Sequence, residues 1–309
     1  MARYLPIALA AGLGSAVLYA AALSGHFLGV VLAYLAVLPL FVVGLTRGPA
    51  ATAIAAVCAA AGIVAFGSWL LGLMFAVTQA IPAVAMTVLA LRNRQWTDGQ
   101  TYWYPAGRLL AGLSLWCAGL IVVAAIALAV SGDGLVAGVE TVLHAMTAAF
   151  GQEANLPVDA SALKSAAMIL PGVVAWSWML MMTVNGLLAQ VIARRLGKIL
   201  RPPLRLADID IGYTWIGIGA VCVLVGLVVP GDFGFGAINV AIVLAYPLFF
   251  QGLGVVHGLV HYWGGGPLAF GLFYFLLILL GWLALVVIVL GLAEPFVRLR
   301  TRFAGRKNT

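Results

Sequence analysis

The sequence predicts an all-α fold: a polytopic transmembrane helix bundle of about eight to nine membrane segments, with a short external amphipathic helix. Three observations carry that expectation. The 309 residues are 64% hydrophobic and only 8% charged, a balance found in membrane domains and not in soluble ones. The apolar residues fall into runs of about 20, the length that crosses a bilayer core. The cations collect between those runs, at Arg92, Arg94 and Arg108, again at Arg194, Arg195, Lys198, Arg201 and Arg205, and in the tail. That clustering follows the positive-inside pattern and accounts for the net charge of +7, so no nucleic-acid partner is expected. The chain reads as one membrane domain, 1–309, multi-pass and in contact with the lipid bilayer, with its N-terminus cytoplasmic.

The first span, Pro6 to Ser24, carries Ala8, Gly12, Ala16 and Ala20 at intervals of four, a ridge of small side chains that lets another helix approach closely. Gly25 and His26 turn the chain into a second span, Phe27 to about Thr46, and Arg47-Gly48-Pro49 turns it into an alanine-rich third, ending near Phe66. The fourth, Trp69 to Leu91, holds Thr78, Gln79 and Pro82, so a kink beside a buried amide is expected. An arginine- and aromatic-rich loop with Trp96, Tyr102, Trp103 and Tyr104 suits the inner interface, and a fifth span runs from about Leu109 to Val130.

Segment 131–164 is acidic, with Asp133, Glu140, Glu153 and Asp159 against Lys164, and is expected outside. Within it Leu135, Val139, Val142, Leu143, Met146 and Phe150 recur at helical spacing, predicting an amphipathic helix on the outer surface. A helix capped by Asp159 or Ser161 then continues to Arg195, bent at Pro171 and carrying Asn185 deep in its length. The additional C-terminal helices, 206–297, comprise spans at about Tyr213 to Val229, Ala237 to Tyr262 and Leu268 to Leu292, followed by a basic tail, 298–309. Three full crossings would carry that tail outside, against the charge rule. A break at Pro247 to Gly252, with the segment re-entering, would keep the C-terminus cytoplasmic.

One stretch concentrates the polar groups. Counted at 100° per residue from Asn239, the side chains of Val243, Tyr246, Phe250, Gly254, His257 and His261 lie within roughly 60° of one another, with Gln251 just off the stripe. Polar groups in hydrocarbon must face protein, water or a ligand, so Asn185, Asn239, Tyr246, Gln251, His257 and His261 are the candidate binding face. Gly254 and Gly258 form a GxxxG pair beside it, for which close helix packing is the competing explanation.

Chemistry has little to work with. His257 and His261 stand four apart, the spacing at which two imidazoles can share a metal, but no carboxylate or cysteine accompanies them on their helix, and no metal or cofactor is expected. Cys58, Cys117 and Cys222 lie singly in apolar runs. No nucleotide-binding, zinc-protease or nucleophile-elbow motif is present, and the nine acidic residues fall in loops or near span ends. Neither an enzyme nor a proton pump is the favoured reading.

The phrase FFQGLGVVHGLVHYW, followed by a last span ending LGLAEPFVRLRTR, resembles the YybS-like family of uncharacterised bacterial multispanning proteins. More remotely, the first six spans, 1–195, are similar to the substrate-binding S components of energy-coupling-factor transporters. That resemblance implies both ends of the six-helix part inside, and a first helix whose small-residue ridge, here Ala8, Gly12, Ala16 and Ala20, docks on a transmembrane coupling subunit served by a separate ATPase. The expected function is a solute-binding or transport subunit without its own ATPase, for a neutral or amphipathic solute. A membrane scaffold is the alternative, and an intramembrane enzyme using His257 and His261 comes third.

Overall fold

The structure, a computed structural model, describes residues 4–97, 99–132, 134–143, 160–206, 209–300 and 302, with the side chains of 160–164 left aside. Met146, Phe150 and Asp159 of the acidic segment, Asp208, and Phe303, Arg306 and Lys307 of the tail lie outside the described residues. Seven helical segments are long and apolar enough to cross a membrane: Leu5–Ser24, Phe27–Arg47, Pro49–Phe66, Trp69–Leu91, Ala106–Ser131, Ser165–Arg195 and Gly231–Tyr262. A bent pair, Pro267–Leu279 with Leu283–Val297, makes an eighth if counted as one span, and Tyr213–Val228 is a shorter apolar helix. The chain is an all-α polytopic helix bundle. It divides into two compact units: residues 1–109 with 178–204, and residues 110–177 with 205–309.

The first unit begins with α1 (Leu5–Ala20), extended by one 3-10 turn and stopped at Gly25, whose φ of 70° only glycine adopts cheaply. The second span, expected continuous, is two helices, α2 (Phe27–Tyr34) and α3 (Leu38–Arg47). Pro39 explains the interruption: it has no N–H for the carbonyl of Leu35, which instead accepts from the Leu38 N–H at 3.0 Å. The Tyr34 and Ala36 carbonyls are taken by side chains, Asn185 Nδ2 donating to the first at 2.7 Å and Ser15 Oγ to the second at 2.6 Å. Such breaks persist in a membrane only where neighbours satisfy the freed groups.

Helix α4 (Pro49–Phe66) packs on α1, and α5 (Trp69–Phe75), capped by Ser68, leads through a single π-helical turn, Ala76–Ala80, into α6 (Ile81–Leu91). The kink expected near Gln79 and Pro82 is this π turn. A short hairpin follows, strands β1 (Asn93–Gln95) and β2 (Thr101–Trp103), antiparallel with Arg94 opposite Tyr102. Arg201 fixes it: Nη1 donates to the Ala90 carbonyl at 2.9 Å and Nη2 to the Tyr104 carbonyl at 2.8 Å, with Trp103 beneath its guanidinium. Burial holds that guanidinium below its usual pKa.

Helix α7 (Ala106–Ser131) leads into the second unit, where residues 135–143 form α8, the described part of the helix expected there. Helix α9 (Ala160–Arg195) passes through Pro171 unbroken. Then come α10 (Tyr213–Val228), α11 (Gly231–Tyr262), α12 (Pro267–Leu279) and α13 (Leu283–Val297). The break expected at Pro247 to Gly252 is absent, because α11 stays helical through Pro247. It occurs one helix later, at Leu280 to Trp282, where α12 and α13 meet with a bend of 115°. The difference has a physical cause. The helix around Pro247 is enclosed, with Trp176 and Trp215 donating to the carbonyls of Ile242 and Leu244 at 2.6 and 2.9 Å, whereas α12 buries no residue and nothing holds it in line with α13.

Helix α13 packs closely on α11. They cross where Gly252 meets the Val287 carbonyl and Gly291 meets the Leu248 carbonyl, approaches that no side chain permits. Beyond the end of α13, Arg300 lies against Gly258. Helix α10 is antiparallel to α11, with Gly226 facing Ile238 and the Ile211 N–H reaching Gln251.

Candidate functional site

Asn239 is 0% exposed and faces the proline bend of α9. In a regular helix the Gly172 N–H would donate to the Met168 carbonyl four residues back. Here the Asn239 amide stands between them: Oδ1 accepts from Gly172 N–H at 2.8 Å, while Nδ2 donates to Met168 at 3.0 Å and to the Phe235 carbonyl at 2.9 Å. One side chain thus bridges two backbone groups next to Pro171.

Gln251, also 0% exposed, does the same for α13. Pro295 has no N–H to offer the Gly291 carbonyl, and Gln251 Nε2 donates to that carbonyl at 2.7 Å while Oε1 accepts the Ile211 N–H at 2.6 Å. The first unit repeats the device, since Pro82 leaves the Thr78 carbonyl without an N–H four residues on and Trp178 Nε1 fills it at 2.8 Å. These donors are recognisable from sequence only as polar or indole residues in spans that contain a proline elsewhere, which is why Trp178 and Ser15 escape a reading by polarity alone.

The remaining members of the stripe diverge. Tyr246 is enclosed by the rings of Trp176 and Phe250, each centred 5.1 Å away. His257 turns toward α12, its Nδ1 2.9 Å from the Leu253 carbonyl, its Nε2 3.4 Å from the Tyr274 hydroxyl, and its ring 4.7 Å from Phe270. His261 is exposed. Among the described residues no three His, Cys, Asp or Glu side chains are placed to hold a metal ion.

Ala8 and Gly12 of the small-residue ridge are buried within the first unit: a Cβ on Gly12 would stand 2.5 Å from the Ala55 carbonyl oxygen and 2.8 Å from Cys58 Cβ. Ala16 sits near Gly62 of α4, and Ala20 is exposed.

Asn185 lies in the first unit and differs from the other two amides. It is 2% exposed and donates to Tyr34 and to the Met181 carbonyl, at 2.7 and 2.8 Å, yet among the described residues its Oδ1 has no donor. Gln79, on the π turn, likewise has a buried Oε1 without a donor. An unfilled buried acceptor costs about 1–3 kcal/mol. Both oxygens lie next to irregular backbone, Asn185 at the interrupted second span and Gln79 on the π turn.

Glu294 also proves to be buried, at 7% exposure, and pairs with Arg300 at 3.0 Å. Its place next to the chain's terminal basic run had pointed to a span end and concealed this.

The apolar spans, the broken helices and the satisfied backbone define an integral membrane protein built to hold proline-interrupted helices at membrane depth. The chain belongs to the family described as predicted membrane protein (DUF2232), whose model matches residues 15–294. Compared with curated proteins and with solved structures, the chain matches none.

Proposed function

We propose that this protein is a solute-binding or transport subunit of the bacterial inner membrane without its own ATPase, and that its solute site lies at Asn185 in the first unit and not along α11. The observation that carries the reading is the Asn185 Oδ1, buried and without a donor among the described residues, next to the interrupted second span. Interrupted helices with free acceptors are a recurrent way to bind solutes at mid-membrane. The ligand class is a neutral small molecule with hydrogen-bond donors. The likeness of the first six spans to S components supports a coupling subunit and ATPase as partners, at the level of fold analogy. With Ala8 and Gly12 engaged on α4, the surface of α1 left for such a subunit includes Leu13, Val17 and Ala20.

For the orientation we propose that the bent α12–α13 pair is re-entrant, so that the seven long spans and α10, eight crossings together, leave both termini in the cytoplasm. Support comes from Arg300 Nη2, which donates at 2.9 Å to Ile209 in the segment that follows the basic loop.

A scaffold reading has one observation in its favour: Asn239 and Gln251 have both ends of their amides engaged by backbone groups. Native mass spectrometry of protein released gently from its own membrane separates the two. A retained non-lipid metabolite, lost in Asn185→Leu and kept in His261→Ala, is the expected result. Only lipids bound, with a stable protein partner, would favour the scaffold.

A further inference from the structure

The described residues of the first unit include no Asp or Glu, and its cations gather at one end. Arg47 closes α3, Arg92 follows α6, Arg194 and Arg195 close α9, and Lys198 and Arg201 follow it. Arg94 stands on β1, and Arg108 in the first turn of α7. Three contacts draw these helix ends together: the Leu200 N–H donates to the Leu45 carbonyl at 3.1 Å, and Arg201 donates to the Ala90 and Tyr104 carbonyls. No carboxylate among the described residues of the unit offsets the charge they concentrate.

Arg201 is the buried member, 8% exposed. Two carbonyls and the Trp103 ring solvate its guanidinium, but none of them neutralises it, so an anion reaching its remaining N–H groups would be strongly favoured. Side chains alternate along a strand, and the hairpin accordingly has two faces. Trp103 turns to Arg201, whereas Arg94, Trp96 and Tyr102 share the other face: the Arg94 guanidinium lies 5.4 Å from the centre of the Trp96 ring, which is 6.4 Å from that of Tyr102. Both rings are exposed, as are Leu196 and Leu200 between the cations that follow α9. Cations interleaved with exposed aromatic and aliphatic groups, at the ends of apolar spans, suit the level at which phosphates meet acyl chains. An acidic protein would match the charge and leave the apolar groups unexplained.

We propose that this end of the first unit binds the headgroups of anionic phospholipids, with Arg201 as the seat of a phosphate, Arg94 and Lys198 as exposed cations flanking it, and Trp96 and Tyr102 set at the top of the acyl chains. The inference is independent of the Asn185 reading.

The test uses the full chain in nanodiscs of phosphatidylcholine doped with spin-labelled phosphatidylglycerol or spin-labelled phosphatidylcholine, and reads the share of label that the protein holds motionally restricted. The phosphatidylglycerol label should be held at least about fivefold more strongly, the effect of one cation at an anionic surface. Arg201→Gln should remove that preference. So should Arg94→Gln combined with Lys198→Gln, two exposed positions that keep the proposal testable should Arg201→Gln fail to fold. Removing two cations from the tail instead, by Arg302→Gln with Arg306→Gln, should leave the preference unchanged, and inorganic phosphate should not displace the label. Equal retention of the two labels overturns the proposal, as does a preference that survives in Arg94→Gln with Lys198→Gln. A loss in the tail variant as large as in that pair would mark diffuse attraction to any basic surface and overturns it too. Displacement by inorganic phosphate would make the seat one for the free anion, against the lipid assignment.

Discussion

Replacing Asn239 by leucine keeps the volume of the side chain and removes all its polar bonds. The Phe235 carbonyl loses little, because its own helix already supplies a donor. The Gly172 N–H and Met168 carbonyl lose the groups that bridge them, in a place with no water. An unsatisfied buried backbone group costs about 1–3 kcal/mol, whereas side-chain hydrogen bonds in membrane bundles average only about 0.6 kcal/mol when the unfolded state finds other partners. Two groups orphaned together, with partial straightening of α9, give an expected loss of about 2–4 kcal/mol, a shift of roughly 30- to 1000-fold in the unfolding equilibrium. Reversible unfolding in mixed micelles, followed by tryptophan fluorescence, reads this directly, since Trp176 donates to Ile242 one turn from Asn239. A loss below about 0.5 kcal/mol would show that α9 re-forms its own bond and that Asn239 is not the bridge.

Other consequences follow from the same contacts. Gly291→Leu places a side chain into the Leu248 carbonyl and should separate α13 from α11, seen as loss of monodisperse protein on size-exclusion chromatography, while Gly217→Leu, where nothing lies within 4 Å, should not. Arg201→Lys loses the fork that joins Ala90 to Tyr104 and should cost about 1–2 kcal/mol. Burial favours the neutral amine, so the folded pKa of that lysine falls below its unfolded value of about 10.4; the variant's stability should rise as pH climbs toward that value, checked by unfolding at pH 7 and pH 9.5. A reporter active only in the cytoplasm, fused after Thr309, should be active; activity of a periplasmic reporter there would mean that α12 and α13 form a full crossing.

The helical spans were legible because the bilayer demands long apolar runs. The interruptions were legible only as possibilities. Pro39, Pro82, Pro171, Pro247 and Pro295 each delete an N–H, but whether a helix breaks, bends or continues depends on which neighbour fills the carbonyl, and that neighbour is distant in sequence: Gln251 for Gly291, Trp178 for Thr78. Polarity alone marked Asn239 and Gln251 as a solute face and gave no sign that both bond to backbone groups. It singled out Asn185 without any sign that one of its oxygens lacks a donor. The glycines misled in the same way. Spacing nominated Gly254 and Gly258 for helix packing, yet the close crossing uses Gly252 and Gly291, far apart in the chain, and only the fold brings them together.

The account turns on polar side chains acting as donors to carbonyls that prolines leave open, and a double-mutant cycle on Gln251 and Pro295 tests it most directly. Pro295→Ala returns an N–H four residues after Gly291, making the Gln251 donor redundant, while the bond from Ile211 to Gln251 is lost alike in both backgrounds of Gln251→Met. The predicted result is that Gln251→Met costs at least about 1 kcal/mol less when Pro295 is alanine, a coupling well above the roughly 0.3–0.5 kcal/mol expected of independent sites. Additive costs would contradict the account and return Gln251 to the candidates for a solute contact.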